Sequence, residues 1–363
     1  MRILHVITTL DIGGAERLMV DLLPLLNNNG NEVELLLFNG LETPFKRELV
    51  NKGIHVNQLS YWKGITHHYE VYNPINIIKL RKYLKKYDII HTHNTACQLY
   101  VPLAATLFGV SNKLVTTEHS TVNKRRNLNW FRVVDRWMYS KYSAVVCVSE
   151  QTAANIKSYI GDLCGIKTII NGINIDRFLK PIADISKKND YMISMIAAFR
   201  KEKDHETLLR AMALLPDDYK LQLVGQDFEN RVPSLKVLCH ELGIEDRVLF
   251  LGPRSDIPNI LENSDIAVLS SHWEGFGLSA VEAMAAGRPL IATDVGGLRD
   301  VVKGAGVLFP HGDSKTLAQK IQWLCENPDE YRAVARRCQA RAQQYDISIM
   351  AQKYSDLYKS LVK

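Results

Sequence analysis

Apolar residues in this chain gather into short continuous runs at 2–8, 32–38, 88–93, 113–117 and 144–148, and again at 191–197, 221–225, 248–252, 266–269, 289–293 and 305–309. Runs without a polar residue at every second place predict strands covered on both faces, as in a parallel sheet. The segments between them carry helical spacing. One opens at Gly13-Gly14 and runs toward Asn29; others span 314–326, 329–344 and 347–361. Strand alternating with helix predicts a doubly wound α/β fold. The pattern occurs twice, so two Rossmann-like parallel-sheet domains are expected, at 1–180 and 181–363, with a polar linker at 180–190. A chain of 363 residues gives each domain enough length for its own core.

The stretch 270–297 joins an apolar strand to a helix through Glu274-Gly275-Phe276-Gly277-Leu278 and ends on a second strand and Gly296-Gly297. Unpaired N–H groups at a helix start favour anions. Gly275 and Gly277 let the backbone approach a phosphate with no Cβ in the way. Glu274 stands in the loop after a strand, where open α/β sheets bind ligands. Glu282 stands one to two turns into the helix. Such a pair can meet hydroxyls on either side of a diphosphate, a sugar at one end and a ribose at the other. Each charge-assisted bond contributes about 1.5–3 kcal/mol. Taken singly, each glutamate reads as a solvated surface residue, the default for a carboxylate.

The string E-G-F-G-L-S-A-V-E-A-M-A-A-G-x-P resembles the signature of the family 4 retaining glycosyltransferases, which carry two glutamates separated by seven residues. The resemblance implies the GT-B fold, two Rossmann-like domains facing each other across a cleft, with the last helix, about 346–363, crossing back to the first domain. It implies transfer of a sugar from a nucleotide-diphosphate sugar, UDP-linked before GDP-linked, with retention at the anomeric carbon. The acceptor it implies is a glycan or lipid-linked molecule of surface polysaccharide, such as lipopolysaccharide or capsule. Other segments carry the likeness. Gly13 and Gly14 match a loop near the donor's sugar-phosphate end. His119, in T-T-E-H-S, matches the family's strand-end histidine at the transferred sugar. Asn171-Gly172-Ile173-Asn174 resembles an interdomain Asn-Gly-Ile-Asp, with Asn for Asp. In F-R-K-E-K-D-H, Lys203 matches a phosphate-binding lysine; Ala198 stands at the usual arginine, and Arg200 is the substitute at hand.

On this reading His119, Glu274 and Lys203 are catalytic. Gly13, Gly14, Arg200 and Lys203 join Glu274, the turn Gly275-Phe276-Gly277-Leu278 and Glu282 around the donor. Gly225 ends a strand where close approach of a flat base would favour glycine, and Arg254 would stack on that base or bond its edge. Surface solvation explains Arg254 as well. Two other readings share these residues: a nucleotide-sugar epimerase of the same fold, and a binding subunit that transfers nothing. Conversion of donor without acceptor would mark the first, and binding without consumption the second.

No Asp-x-Asp occurs in the chain, so the carboxylates that hold Mn²⁺ or Mg²⁺ in single-domain nucleotide-sugar transferases are missing, and no metal is expected. Helix amides after Gly275, with Lys203 and Arg200, can neutralise the leaving diphosphate instead. His91 and His93, two apart at a strand end, share a face. A metal there would need a third ligand that spacing does not supply, so a packed histidine and a cleft-facing one are expected. Gly13-Gly14 lacks GxGxxG spacing, which argues against a dinucleotide cofactor.

Net charge is +6 and the pI about 8.8. This suits anionic donors, phosphorylated acceptors or an anionic membrane, and by itself is no nucleic-acid footprint. Arg125, Arg126, Arg132 and Arg136 stand among Trp130, Val133, Val134, Trp137 and Met138. Those apolar residues share a helical face, which either packs on the core or, with the arginines, meets a lipid phosphate or anionic leaflet as a peripheral contact. No apolar run approaches the ~18 residues of a membrane span. The start M-R-I-L-H-V-I breaks at Asp11 without a cleavage site and reads as a first strand rather than a signal peptide. Six cysteines form no CxxC, which suggests reduced thiols in the cytoplasm, with action at the inner face of the plasma membrane.

Overall fold

The computed structural model describes residues 1–11, 13–61, 71–119, 126, 130–161 and 165–362. They form two compact units, Met1–Gly172 with Ile347–Lys363, and Ile173–Asp346. The chain therefore changes unit at 172/173 and again at 346/347, and the boundary expected at 180/181 moves upstream. The reason lies in apolar anchors inside a polar-looking segment. Ile173, Ile175, Phe178 and Ile185 are buried. The carbonyls of Lys180 and Pro181 accept from Gln339 Nε2 and Arg288, each at 2.9 Å. At the second crossing Ile173 N–H donates to Tyr345 O at 2.9 Å.

The first unit contains β1 (Arg2–Ile7), β2 (Glu32–Asn39), β3 (His55–Ser60), β4 (Ile89–His93), β5 (Lys113–Glu118), β6 (Ala144–Cys147) and β7 (Ile166–Thr168). They pair in parallel in the order β3-β2-β1-β4-β5-β6-β7. Along β1, Ile3 and Ile7 enter one apolar cluster and Leu4 and Val6 the other, the two-sided burial of a central parallel strand. The C-terminal helix Ile347–Val362 places Met350, Ala351, Tyr354 and Tyr358 in the first cluster. Their spacing by three and four puts them on one helical face, which packs on the helix Gly14–Asn28.

The second unit contains β8 (Tyr191–Ile196), β9 (Tyr219–Val224), β10 (Val248–Gly252), β11 (Ile266–Leu269), β12 (Leu290–Thr293) and β13 (Val307–Phe309). The parallel order is β10-β9-β8-β11-β12-β13. In both sheets the strand order reverses direction at one place, between β1 and β4 and between β8 and β11. Ligands of such sheets bind beyond the strands' C-terminal ends at this switch point. No helix among the described residues is long and apolar enough to cross a membrane.

Candidate functional site

At the switch point of the second unit, the loops after β8 and β11 are tied together by backbone bonds. Lys203 and Ser271 form an antiparallel bridge. His272 N–H donates to Glu202 O at 2.9 Å and Asp204 N–H to Ser270 O at 3.2 Å. Asp204 then caps the helix His205–Met212, accepting from Thr207 N–H at 3.1 Å. This pinning sets Lys203 beside Glu274. The ammonium donates to Glu274 Oε2, and Oε1 accepts from Gly275 N–H at 3.2 Å. Both side chains are largely buried, where a charge-assisted bond counts for more than in water.

The helix Leu278–Ala285 begins directly after Gly277, whose φ of 86° and ψ of 63° lie in the left-handed region, and no side chain caps it. A Cβ at Gly277 would also stand 2.6 Å from Leu298 Cδ2. Two constraints thus require glycine there, and the helix start keeps donor N–H groups that no cap residue takes. Leu278 and Glu282 on this helix are half-buried. Phe276 is buried, its ring edge-on to Tyr345 at 5.4 Å. Its side chain serves the core rather than a ligand, so only its backbone remains for a donor. Gly297 is a residue that sequence reasoning missed. A Cβ there would lie 2.5 Å from Glu274 O and 2.7 Å from Gly275 O, so the helix Gly296–Val302 supports the turn from beneath.

Three expected donor contacts stand elsewhere. Arg200 is exposed, 4.2 Å over the Phe228 ring and 3.8 Å from Glu202; its side chain does not join Lys203 and Glu274. A Cβ at Gly225 would meet Ala197 O at 2.0 Å, so the close approach of two strand ends by itself requires glycine here. Arg254 is exposed and donates to both oxygens of Asp256 at 2.7 Å. A cavity of about 530 Å³ is lined by Lys201, Glu229, Arg231, His272 and Trp273, among others. No sequence spacing links these five, because loops after β8, β9 and β11 assemble them.

In the first unit, His119 follows β5 and its Nε2 lies 3.1 Å from His93 Nδ1. His91 and His93 are both fully buried; neither faces outward, contrary to expectation. The third imidazole comes from β1. His5 Nδ1 lies 3.0 Å from His93 Nε2, and His5, His91 and His93 each place a nitrogen within 4.8 Å of the others. Both nitrogens of His91 are already engaged, by Tyr358 Oη at 2.6 Å and Thr117 Oγ1 at 2.7 Å. The trio therefore fits a hydrogen-bond network better than a metal. Burial lowers the pKa of His5 to about 3 and of His119 to about 4, and holds His91 and His93 well below 6.5. All four are neutral near pH 7.

Gly13 is extended and its carbonyl accepts from Arg17 N–H at 2.9 Å, with Gly14 opening the helix. Arg17 is held by Asp21 and Glu48, and its hydrogen bond to Glu48 lowers that carboxyl to about 2. The basic stretch also differs from expectation. Arg126 is spent internally, 2.8 Å from the buried Glu118. On the helix Phe131–Ser140 the buried side is Asp135, Met138 and Tyr139, while Trp130 and Val133 are 64% and 73% exposed. Arg125 and Cys164 lie outside the described residues.

Two family models match the chain. "Glycosyltransferase Family 4" matches residues 12–177, and "Glycosyl transferases group 1" matches 179–344. The chain is 27% identical over 372 residues to N-acetyl-alpha-D-glucosaminyl L-malate synthase of Bacillus anthracis, covering 97% of this chain and 95% of that one. It is 27% identical over 312 residues to UDP-Gal:alpha-D-GlcNAc-diphosphoundecaprenol alpha-1,3-galactosyltransferase of Escherichia coli, covering 79% of each. Anabaena Alr3699/HepE, solved with UDP and glucose, superposes with a TM-score of 0.86 at 25% identity, over 99% of this chain and 100% of that one. These relatives support the transferase reading and not the epimerase one. With two models covering both halves and two doubly wound sheets of the GT-B kind beneath them, the chain belongs to the family 4 glycosyltransferases.

Proposed function

We propose that this glycosyltransferase moves a sugar, with retention and without a metal ion, from a nucleotide-diphosphate sugar to a glycan or lipid-linked acceptor of surface polysaccharide. UDP-linked donors come before GDP-linked ones, since a structural relative is solved with UDP-glucose. The acceptor class follows the diphosphoundecaprenol substrate in the name of the Escherichia coli relative. The observation that carries the reading is the Lys203–Glu274 pair beside the uncapped start of the helix Leu278–Ala285, at a sheet's switch point.

A departing nucleoside diphosphate gains negative charge as the anomeric C–O bond breaks. Lys203 and the N–H groups after Gly277 are fixed donors for that charge, and fixed donors need no reorganisation during the reaction. Glu274 holds sugar hydroxyls, exchanging part of its bond with Lys203 for them. Glu282 accepts from the ribose. His119, in the first unit, bonds an oxygen of the transferred sugar. The acceptor oxygen bonds the anomeric carbon on the face the phosphate leaves, and its proton passes to the leaving phosphate. Trp130, Val133, Arg132 and Arg136, all exposed, form the apolar and basic surface for a peripheral contact with anionic lipid at the cytoplasmic leaflet.

Thermal-shift measurements with UDP, GDP and ADP and their sugars, each with and without EDTA, test the donor and the metal together. Ligand at about 100 times its Kd stabilises by ~2.7 kcal/mol. UDP should raise Tm most, equally in EDTA. NMR of the transfer product should show the anomeric configuration of the donor. Inversion, or binding that EDTA abolishes, would refute the corresponding part. Donor binding with no consumption beside any glycan or lipid-linked acceptor would favour the binding-subunit reading.

A further inference from the structure

The buried histidines of the first unit form one unbroken chain of hydrogen bonds from the core to His119. Tyr354 Oη lies 2.9 Å from Thr117 Oγ1, and Thr117 Oγ1 lies 2.7 Å from His91 Nε2. His91 Nδ1 lies 2.6 Å from Tyr358 Oη, and Tyr358 Oη lies 3.4 Å from His5 Nε2. His5 Nδ1 meets His93 Nε2 at 3.0 Å, and His93 Nδ1 meets His119 Nε2 at 3.1 Å. Every member except His119 is at most 1% exposed.

A neutral imidazole has one N–H and one lone pair, and a hydroxyl has one hydrogen. Through each histidine the direction of one link dictates the next; the direction can reverse only at a hydroxyl that accepts from both sides, which leaves that hydroxyl's own hydrogen over, and two states run one way throughout. In one, every histidine carries its proton on Nε2 and Thr117 donates to Tyr354. The phenolic O–H of Tyr354 then has no acceptor among the described residues, and a buried orphan donor costs about 1–3 kcal/mol. In the other, Tyr354 donates to Thr117, Thr117 to His91 Nε2, His91 Nδ1 to Tyr358, Tyr358 to His5 Nε2, His5 Nδ1 to His93 Nε2, and His93 Nδ1 to His119 Nε2. Every buried hydrogen has a partner in this state.

We propose that Tyr354 and Tyr358 of the C-terminal helix set the tautomer of His119 through this chain, holding its proton on Nδ1 so that it meets its ligand as a hydrogen-bond donor. The ligand chemistry this selects is an accepting oxygen, such as a sugar hydroxyl or ring oxygen, rather than a donating group. Tyr358 is a positioning residue that acts through His5 and His93. The tautomer assignment stands independently of His119's part in sugar transfer; its consequence for turnover rests on that reading.

Long-range ¹H–¹⁵N correlation spectra of histidine-labelled full-length protein read the tautomers directly. His5, His91, His93 and His119 should all appear as the Nδ1–H form, although free imidazole favours Nε2–H. Tyr358→Phe cuts His5, His93 and His119 from the rest, and Nε2–H should grow at His119. Transfer assays on the same variant should show a lower kcat with donor KM little changed. Nε2–H at His119 in the unaltered protein overturns the proposal, whether or not the variant folds. So does a folded Tyr358→Phe protein with unchanged tautomers, or one zinc bound per chain at His5, His91 and His93. Tautomers as expected with unchanged kcat would leave the relay standing and remove His119 from the reaction.

Discussion

The two sheets share one strand order around their switch points, yet the residues beyond the strands differ in kind. In the second unit, β8 and β11 deliver an ammonium and a carboxylate, Lys203 and Glu274, next to a left-handed glycine. In the first, β1, β4 and β5 deliver imidazoles and a hydroxyl, and burial keeps the imidazoles uncharged. One topology thus builds a place where charge can develop and a place where neutral groups read oxygens by direction. The fold supplies the location, and a few residues past each strand supply the chemistry.

Removing the cation should break the charged side most severely. Lys203→Ala takes away the fixed positive charge and leaves Glu274 without its partner. Loss of one preorganised donor costs on the order of 10²–10³ in kcat, and a steady-state assay with UDP-sugar would show it. A loss below about tenfold would mean that the diphosphate leaves elsewhere.

Acid should act on the neutral side first. His5 and His119 titrate at about 3 and about 4 in the fold, against ~6.5 in an unfolded chain. Between those values the unfolded state holds the proton and the folded state does not. Stability therefore rises with pH across that window and falls as pH drops from 6.5 toward 4. Each such group gives a slope of up to ~1.4 kcal/mol per pH unit. His91 and His93 shift the same way in the first unit, while the second brings His205, lowered to about 4. Peptide-resolved hydrogen exchange at pH 7 and 5, corrected for intrinsic rates, should show β1, β4 and β5 opening before β8 and β11. The reverse order would remove the contrast.

A backbone test comes next in size. Gly297→Ala drives a methyl onto the carbonyls of Glu274 and Gly275 and should cost about 1–3 kcal/mol by overpacking. Urea denaturation reads the stability, and UDP titration reads whether the turn above has moved. Full stability with weakened UDP binding would place the strain entirely in the turn.

What could be read from the sequence follows from how local each feature is. Glu274, Gly277 and Glu282 belong to one strand–turn–helix, so their spacing carries their geometry. Lys203 was legible by its place after a strand. The histidine chain was not, because His5, His91, His93, Thr117, Tyr354 and Tyr358 come from three strands and the last helix, and no spacing links them. Gly297 looked like a strand's end because its neighbours in space are carbonyls more than twenty residues earlier. β3 was missed because His-Val-Asn-Gln-Leu-Ser sits at a sheet edge with little apolar content. Arg126 read as surface charge because its partner, Glu118, shows no sign in sequence of being buried.

The smallest effect should come from Arg254, and it sharpens the contrast by limiting where charge matters in the second unit. Its guanidinium donates to both oxygens of Asp256, which raises its pKa, and the pair is exposed. A guanidinium held side-on through Nε and Nη2 has its charge offset by the carboxylate, and an exposed pair adds little to anything else. Arg254→Ala should therefore change UDP affinity by less than about twofold, near the ±0.5 kcal/mol typical of surface substitutions. Asp256→Ala is the informative companion. It frees the guanidinium, so if Arg254 can reach a base, UDP should bind tighter in Asp256→Ala and return to the starting affinity in the double variant. Calorimetry on the three variants separates the cases. A tenfold loss in Arg254→Ala alone would show that the arginine leaves Asp256 when nucleotide arrives, and that the charged region extends beyond Lys203 and Glu274 to the end of β10.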